Sequence, residues 1–359
     1  MTPRVAIIGG GIAGVSAAAK LASLAHVTLY EAEPTLSYHA TGRSAAMFLV
    51  GYGNEVVRAL NQASEAELIA REVLSPKGVL MLERATDHAQ FLAESGAMGL
   101  PEISISEAQS LLPILNVESV ANAAYSADAT AIDTDALVQS YLRQARNLGA
   151  VIKPSSPVKT LTKTAAGWDV VTKESRDPFD YVVNAAGAWA DQIAERAGLT
   201  PLGITPYRRS MAQLPLPEGA ENPAAWPFTI AAGERWYAKI VAGKWWVSPS
   251  EEDPSAPVDA FADDMVIAEG LARYEDMTTQ PVTRVERVWA GLRSFAPDRA
   301  LVLGPDPKEP SFLWCAGQGG YGFQTAPAAS DFLAAQISKS PSPLPTETIR
   351  ALSPSRFTS

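Results

Sequence analysis

Apolar residues along this chain fall into short runs broken by glycine and proline. Val5-Ala6-Ile7-Ile8 is a continuous apolar run that enters Gly9-Gly10-Gly11-Ile12-Ala13-Gly14 and an alanine-rich stretch, which predicts a buried strand, a tight turn and a helix. Val27-Thr28-Leu29-Tyr30, ending on Glu31, predicts the next strand. Helical spacing governs residues 133–148, where Leu137, Val138, Tyr141, Leu142, Ala145 and Leu148 recur behind a capping Asp133-Thr134, and Gly149 ends the element. A strand at Val151-Ile152, a polar hairpin with residues 167–172 as one arm, and a buried strand at Tyr181-Val182-Val183-Asn184 follow.

Residues 200–295 change character. Strands are expected at 209–214, 236–241 and 244–248, separated by proline-rich loops at 215–227 and 249–257. The pattern predicts an antiparallel sheet, with Val79 to Glu83 in it, inserted between pieces of a nucleotide-binding unit. Near the end, Phe312 to Ala316 reads as a buried strand, Gly317 to Gly322 as a glycine-rich loop and Ala326 to Ile337 as a helix. A Ser/Pro connector from Ser340 leads to the tail, and no repeat of solenoid period is present.

Composition narrows the class. A chain of 359 residues that is 47% hydrophobic can bury a large core of about two domains. Its net charge of −10 argues against a nucleic-acid partner. Cys315 is the single cysteine, so no disulfide framework or thiolate zinc site is expected, and no metal. No apolar run reaches the roughly 18 residues of a membrane helix. With a first strand at residue 4 there is no room for a signal peptide, so a cytoplasmic protein is expected. Peripheral association with the inner face of a membrane is the variant of that expectation.

The chemistry begins with the glycines. Gly9 permits the turn, Gly11 lets backbone approach a pyrophosphate, Gly14 lets helix and strand pack closely, and Glu31 stands where a carboxylate accepts ribose hydroxyls. Two later turns, Ala185-Ala186-Gly187-Ala188-Trp189 and Gln318-Gly319-Gly320-Tyr321-Gly322, are further places where backbone can approach a ligand. Tight helix-sheet packing explains the former equally well. Three such sites suit an extended, enclosed cofactor such as FAD better than NAD. No second GxGxxG and no cysteine pair suggests a nicotinamide-linked or disulfide flavin reductase.

The order of these blocks resembles the D-amino acid oxidase superfamily of flavoproteins, with bacterial D-arginine dehydrogenases as the nearest branch. The likeness is carried by the fingerprint through Glu31, residues 38–46, Asp133 to Leu137, Val183 to Trp189 and Arg208-Arg209-Ser210. Residues 289–295, 318–322 and Leu352-Ser353-Pro354 complete it. It implies an α/β fold: a discontinuous Rossmann-like FAD-binding domain (1–51, 133–199, 296–359) with an inserted antiparallel-sheet α+β substrate-binding domain (52–132, 200–295). It further implies non-covalent FAD held by Gly9, Gly11, Ile12, Ala13, Gly14, Glu31, Ala32, Thr41, Arg43, Ser44, Ala45, Ala46, Val158, Ala186, Gly187, Trp189, Arg293, Gly319, Gly320, Tyr321, Gly322 and Gln324. Arg209 and Arg293 match arginines that grip a substrate carboxylate, and Tyr52 and Tyr237 match hydroxyls that complete the grip. Ordinary ion pairs are the other fate open to both arginines. Gly320 matches a carbonyl that meets the substrate amine, and residues 48–53 resemble a mobile lid.

The implied activity is oxidative deamination of a D-amino acid to an imino acid, then a 2-oxo acid and ammonia. The implied electron acceptor is a quinone or dye, with O2 as the alternative. No histidine stands in a catalytic motif. Val79 replaces the acid that D-arginine dehydrogenases use for the guanidinium, Met47 replaces a histidine and Leu49 a threonine; with Phe228 and Ile230 these make an apolar pocket for neutral, hydrophobic or aromatic side chains. Should Val79 merely pack in the core, another acid such as Glu83 would serve the pocket. Oxidation of a secondary amine or L-amino acid stays open, as do a non-catalytic or partner-dependent flavoprotein and a nicotinamide-dependent dehydrogenase.

Overall fold

The computed structural model describes residues 2–217 and 220–357. The expected loop 215–227 and the final tail therefore lie partly outside the described residues. Strands Arg4–Ile8 and His26–Tyr30 flank helix Ile12–Leu21, as the opening pattern predicts. They sit in a six-stranded sheet in the order Val302–Pro305, Phe312–Ala316, Tyr181–Asn184, Arg4–Ile8, His26–Tyr30, Val151–Lys153. Only the Val302–Pro305 edge runs antiparallel to its neighbour. Alternate residues feed two cores: Val5, Ile7, Leu29 and Val183 face helices Ile12–Leu21, Thr134–Asn147 and Gly322–Ser338, whereas Ala6, Ile8, Tyr30 and Val182 face the hairpin sheet of Trp168. Each fully buried Val, Leu or Ile contributes about 1.5–3 kcal/mol of transfer free energy, which is why the continuous apolar runs become central strands.

The insert forms a nine-stranded sheet. Its path is Asp253–Pro254, Thr205–Leu214, Lys244–Ser248, Tyr237–Val241, Phe228–Ala231, Val79–Glu83, Asn122–Ser126 and Glu102–Ile103, with Arg287–Phe295 paired on the other side of Thr205–Leu214. The sheet is mixed, because Val79–Glu83 runs parallel to Phe228–Ala231. Thr205–Leu214 starts four residues before the run expected from alternation, since the β pairing of Thr205 to Arg208 with Leu292 to Phe295 extends the strand into polar sequence. Helix Gly322–Ser338 likewise begins inside the glycine loop rather than at Ala326.

The division at residue 52 needs adjustment. Residues 55–70, inside the stretch 52–132 expected with the substrate-binding part, form helix Glu55–Ala70, which buries Val57, Leu60 and Leu68 in one core with helices Ile12–Leu21 and Gly322–Ser338. Its Asn54 cap accepts from Val57 N at 3.0 Å.

Cys315 occupies the buried strand before the glycine loop and is 1% exposed. Burial pushes its thiol up to about 12, against the smaller opposing effect of the Gln318 amide. The native protein should therefore resist an aromatic disulfide reagent at about pH 8, and denaturant should release one reactive thiol; rapid labelling of the native state would contradict the packing role.

Candidate functional site

One register places most of the expected site. Arg209 lies opposite Gly291, and Tyr207 opposite Arg293, on the adjacent antiparallel strands. Side chains alternate between faces, so Arg209 and Arg293 are diagonal neighbours on one face. The same face continues through Met211, Tyr237 and Ile230 to Phe228 and Val79, because Ile230 pairs with Tyr237 and Phe228 with Val79. Arg209, Gly291, Arg293, Met211, Tyr237, Ile230, Phe228 and Val79 line one cavity of about 300 Å3, together with Met47, Leu49, Tyr52, Gly320 and the FAD-segment residues Ile12, Ala13, Ser44, Ala45, Ala46, Gly319, Gly322 and Gln324.

A second cavity of about 350 Å3 is lined by Gly9, Glu31, Ala32, Val158, Ala186 and Trp189. Gly11, Thr41, Arg43 and Gly187 border both, making one elongated site along the fingerprint. Gly14 and Tyr321 line neither; each supports a neighbour. A Cβ on Gly14 would stand 1.9 Å from the Gly9 carbonyl oxygen, so only glycine allows helix and turn to close up. Tyr321 meets the Tyr52 ring at 5.4 Å between centroids.

The elongated site fits FAD on several counts. Gly9, at φ 110°, turns where a side chain would strike Ala185. Glu31 accepts from Gly10 N at 2.7 Å and Glu33 N at 2.8 Å, which fixes its carboxylate at the rim of the second cavity. Gln324 Oε1, Ser250 Oγ and Ser294 Oγ are buried without a hydrogen-bond partner among the described residues, and all three residues line the first cavity. Such orphan groups are costly unless a ligand satisfies them. Thr41 Oγ1 accepts from Ile12 N at 3.0 Å and braces the fingerprint helix. Arg43 is committed to protein partners: it donates to Ala260 O at 2.8 Å and Ala290 O at 2.7 Å and pairs with Asp259. Lys239, missed in the sequence because it reads as one more strand residue, donates to Ala45 O at 2.6 Å and Ala46 O at 3.0 Å. Burial lowers its pKa to about 8.

The two arginines differ in state. Arg293 has no ion pair or hydrogen bond among the described residues, and its guanidinium carbon lies 3.1 Å from where a Cβ on Gly320 would stand. Burial opposes its charge, but Tyr237, Tyr52 and Glu234 outweigh that effect and raise its pKa. Burial pushes the Tyr52 hydroxyl up, which keeps it a donor. Arg209 is instead spoken for: it donates to Glu234 at 3.2 Å and Glu252 at 3.1 Å. Neither glutamate stood out in the sequence, since both sit in irregular turns without a motif. Within residues 48–53, the segment that resembles a lid, the Tyr52 carbonyl accepts from the buried Asn61 amide at 2.9 Å. Glu83 is removed from the pocket: it accepts from Asn122 at 3.0 Å and sits 3.2 Å from His88. Glu94 does line the first cavity, and it accepts from Gly233 N at 3.1 Å.

Comparison with known proteins agrees with this fold. Solved structures similar to this one include L-proline dehydrogenase from P. horikoshii, with TM-score 0.85 and 22% identity covering 99% of this chain and 98% of that one. Glycine oxidase from Geobacillus kaustophilus matches with TM-score 0.84 and 21% identity over 98% of each chain. Among curated proteins, FAD-dependent oxidoreductase domain-containing protein 1 of Bos taurus is 24% identical over 406 aligned positions, covering 93% of this chain and 80% of the relative. The finer likeness to D-arginine dehydrogenases rests on the sequence motifs alone. Residues 4–336 match the DAO family, FAD dependent oxidoreductase, and the chain belongs to that family.

Proposed function

We propose that this protein oxidises an α-amino acid, with D-amino acids bearing neutral hydrophobic or aromatic side chains as the preferred class. The observation that carries the reading is Arg293, a half-buried guanidinium with no ion-pair partner among the described residues, in a cavity that also presents Tyr52 and Tyr237. A cation recessed in a cavity with no ion-pair partner is free to receive a substrate carboxylate through a planar fork of charge-assisted hydrogen bonds. Tyr52 and Tyr237 donate to the same carboxylate. The Gly320 carbonyl meets the amine, which must be neutral to lose its α-hydrogen as hydride.

FAD, when bound, supplies the two-electron acceptor for that hydride. The protein contributes orientation: one end of the substrate is fixed at Arg293 and the side chain rests on Met47, Leu49, Val79, Phe228 and Ile230, which limits the directions the Cα–H bond can take. The imino acid then hydrolyses in water to a 2-oxo acid and ammonia. A quinone or dye is the proposed electron acceptor, and oxygen uptake during turnover would instead identify O2. No helix among the described residues is long and apolar enough to cross a membrane.

Secondary amino acids are the second reading, favoured by the likeness to an L-proline dehydrogenase. A cyclic amine presents the same carboxylate to Arg293, so only handedness and ring fit separate the two.

Arg293→Met should lower kcat/KM by about 30- to 5000-fold, the cost of truncating one partner of a buried charge pair, while FAD absorbance persists. Unchanged kcat/KM would remove Arg293 from the carboxylate clamp. Among substrates, D-phenylalanine and D-leucine should exceed D-arginine in kcat/KM by about tenfold or more, as an apolar wall gives a guanidinium no partner. A preference for D-arginine would mean that Glu94 serves the side chain; a preference for L-proline would select the second reading.

A further inference from the structure

The second arginine of the chamber is already neutralised. Its side chain is 6% exposed and lies between Glu234 and Glu252. Glu252 also takes Arg299 at 3.0 and 2.9 Å, so the four groups balance: two guanidinium charges against two carboxylates. Glu251, buried nearby with its pKa raised by burial, adds no hydrogen bond to Arg209. The one uncompensated cation of the chamber is Arg293 among the described residues.

Glu234 reaches Arg209 by an unusual backbone. It ends the short 3-10 turn Ala232–Glu234, where Gly233 has φ 76° and Glu234 itself φ 48°. A non-glycine residue held in the left-handed region costs on the order of 1–3 kcal/mol and persists only where surroundings enforce it. Here Glu94 enforces it by accepting from Gly233 N, and the turn projects Glu234 into the lining of the cavity.

We infer that Glu234 is a built-in surrogate for a second substrate carboxylate, and that it restricts this site to substrates carrying a single carboxylate. The inference rests on Arg293 being the carboxylate anchor. Arg209 and Arg293 are diagonal neighbours on one sheet face, a separation of roughly 7–8 Å between backbones, so a four-carbon diacid could bridge them if Arg209 were free. With Glu234 in place, the second carboxylate of such a ligand meets a filled guanidinium and a like charge. Glu234 is the partner that can be spared, because Glu252 has Arg299 as well and the Glu234 side chain is 57% exposed.

Binding of two unreactive acids to the FAD-loaded protein tests this without relying on turnover. Butyrate and succinate share a four-carbon chain and differ in one carboxylate. Isothermal titration should find butyrate at least about tenfold tighter on the native protein, and Glu234→Gln should move the succinate-to-butyrate affinity ratio at least about tenfold towards succinate. Glu234→Ala should do the same, and retained flavin absorbance reports that both variants are folded. A ratio that neither substitution moves, or a native preference for succinate, overturns the proposal. Arg293→Met separates the two levels: it should lose both ligands. If it keeps butyrate, the reading of Arg293 as anchor fails and the inference that rests on it falls with it; if it loses butyrate while neither Glu234 substitution moves the ratio, the reading of Arg293 stands and the inference alone is overturned. No measurable butyrate binding to the native protein overturns both.

Discussion

The antiparallel pairing of Thr205–Leu214 with Arg287–Phe295 is the constraint on which the site depends. A slip of one residue would turn every side chain of a strand to the opposite face. In the observed register, Arg209, Met211, Gly291 and Arg293 share the face that looks across the cavity towards the fingerprint helix, and Trp289, on the same strand, donates to Arg43 O at 3.3 Å. The register is held by packing on the other face, where Ala212 and Leu214 enter a core with Trp226, Trp236 and Trp245. The chemistry on one face is thus specified by apolar burial on the other.

Charge is arranged with the same economy. Tyr237, Tyr52, Glu234 and Tyr321 all act electrostatically on Arg293, and none of them forms an ion pair or hydrogen bond with it among the described residues. The ion pairs are made at Arg209, with Glu234 and Glu252. The pair therefore divides into one arginine available to a ligand and one used to close the chamber wall, a division that residue identity alone does not encode. The Glu234–Arg209 contact also ties the turn Ala232–Glu234 to the long strand beside it, so specificity and local rigidity share an interaction.

Much of the FAD-binding part was legible in the sequence, because its signals are local. The glycine spacing, the alanine-rich helix and Glu31 all act within about thirty residues, and strand burial follows directly from apolar runs. Helix Thr134–Asn147 with its Asp133 cap, accepting from Ala136 N at 2.9 Å, shows the same local logic. What escaped was non-local. Nothing near Glu234 in the chain announces Arg209, and nothing near Lys239 announces the carbonyls of Ala45 and Ala46. Residues 55–70 belong with these non-local cases: the core that receives helix Glu55–Ala70 is set by helix Gly322–Ser338, far along the chain. The Arg287–Phe295 strand was recognised as a motif rather than as an element, since alternating Arg, Trp and Gly give a weak strand pattern.

Lys239 and Arg43 have a mechanical consequence. Lys239 reaches from the large sheet to the carbonyls of Ala45 and Ala46, while Arg43 reaches from that same segment to the carbonyls of Ala260 and Ala290. The segment is thereby sewn to the sheet in both directions. Two bodies joined only by hinges would melt separately; bodies cross-stitched through a shared strip transmit the loss of either to the other. The chain should accordingly behave as one cooperative folding unit, in which loosening the substrate sheet lowers the grip on a dinucleotide bound at the far end.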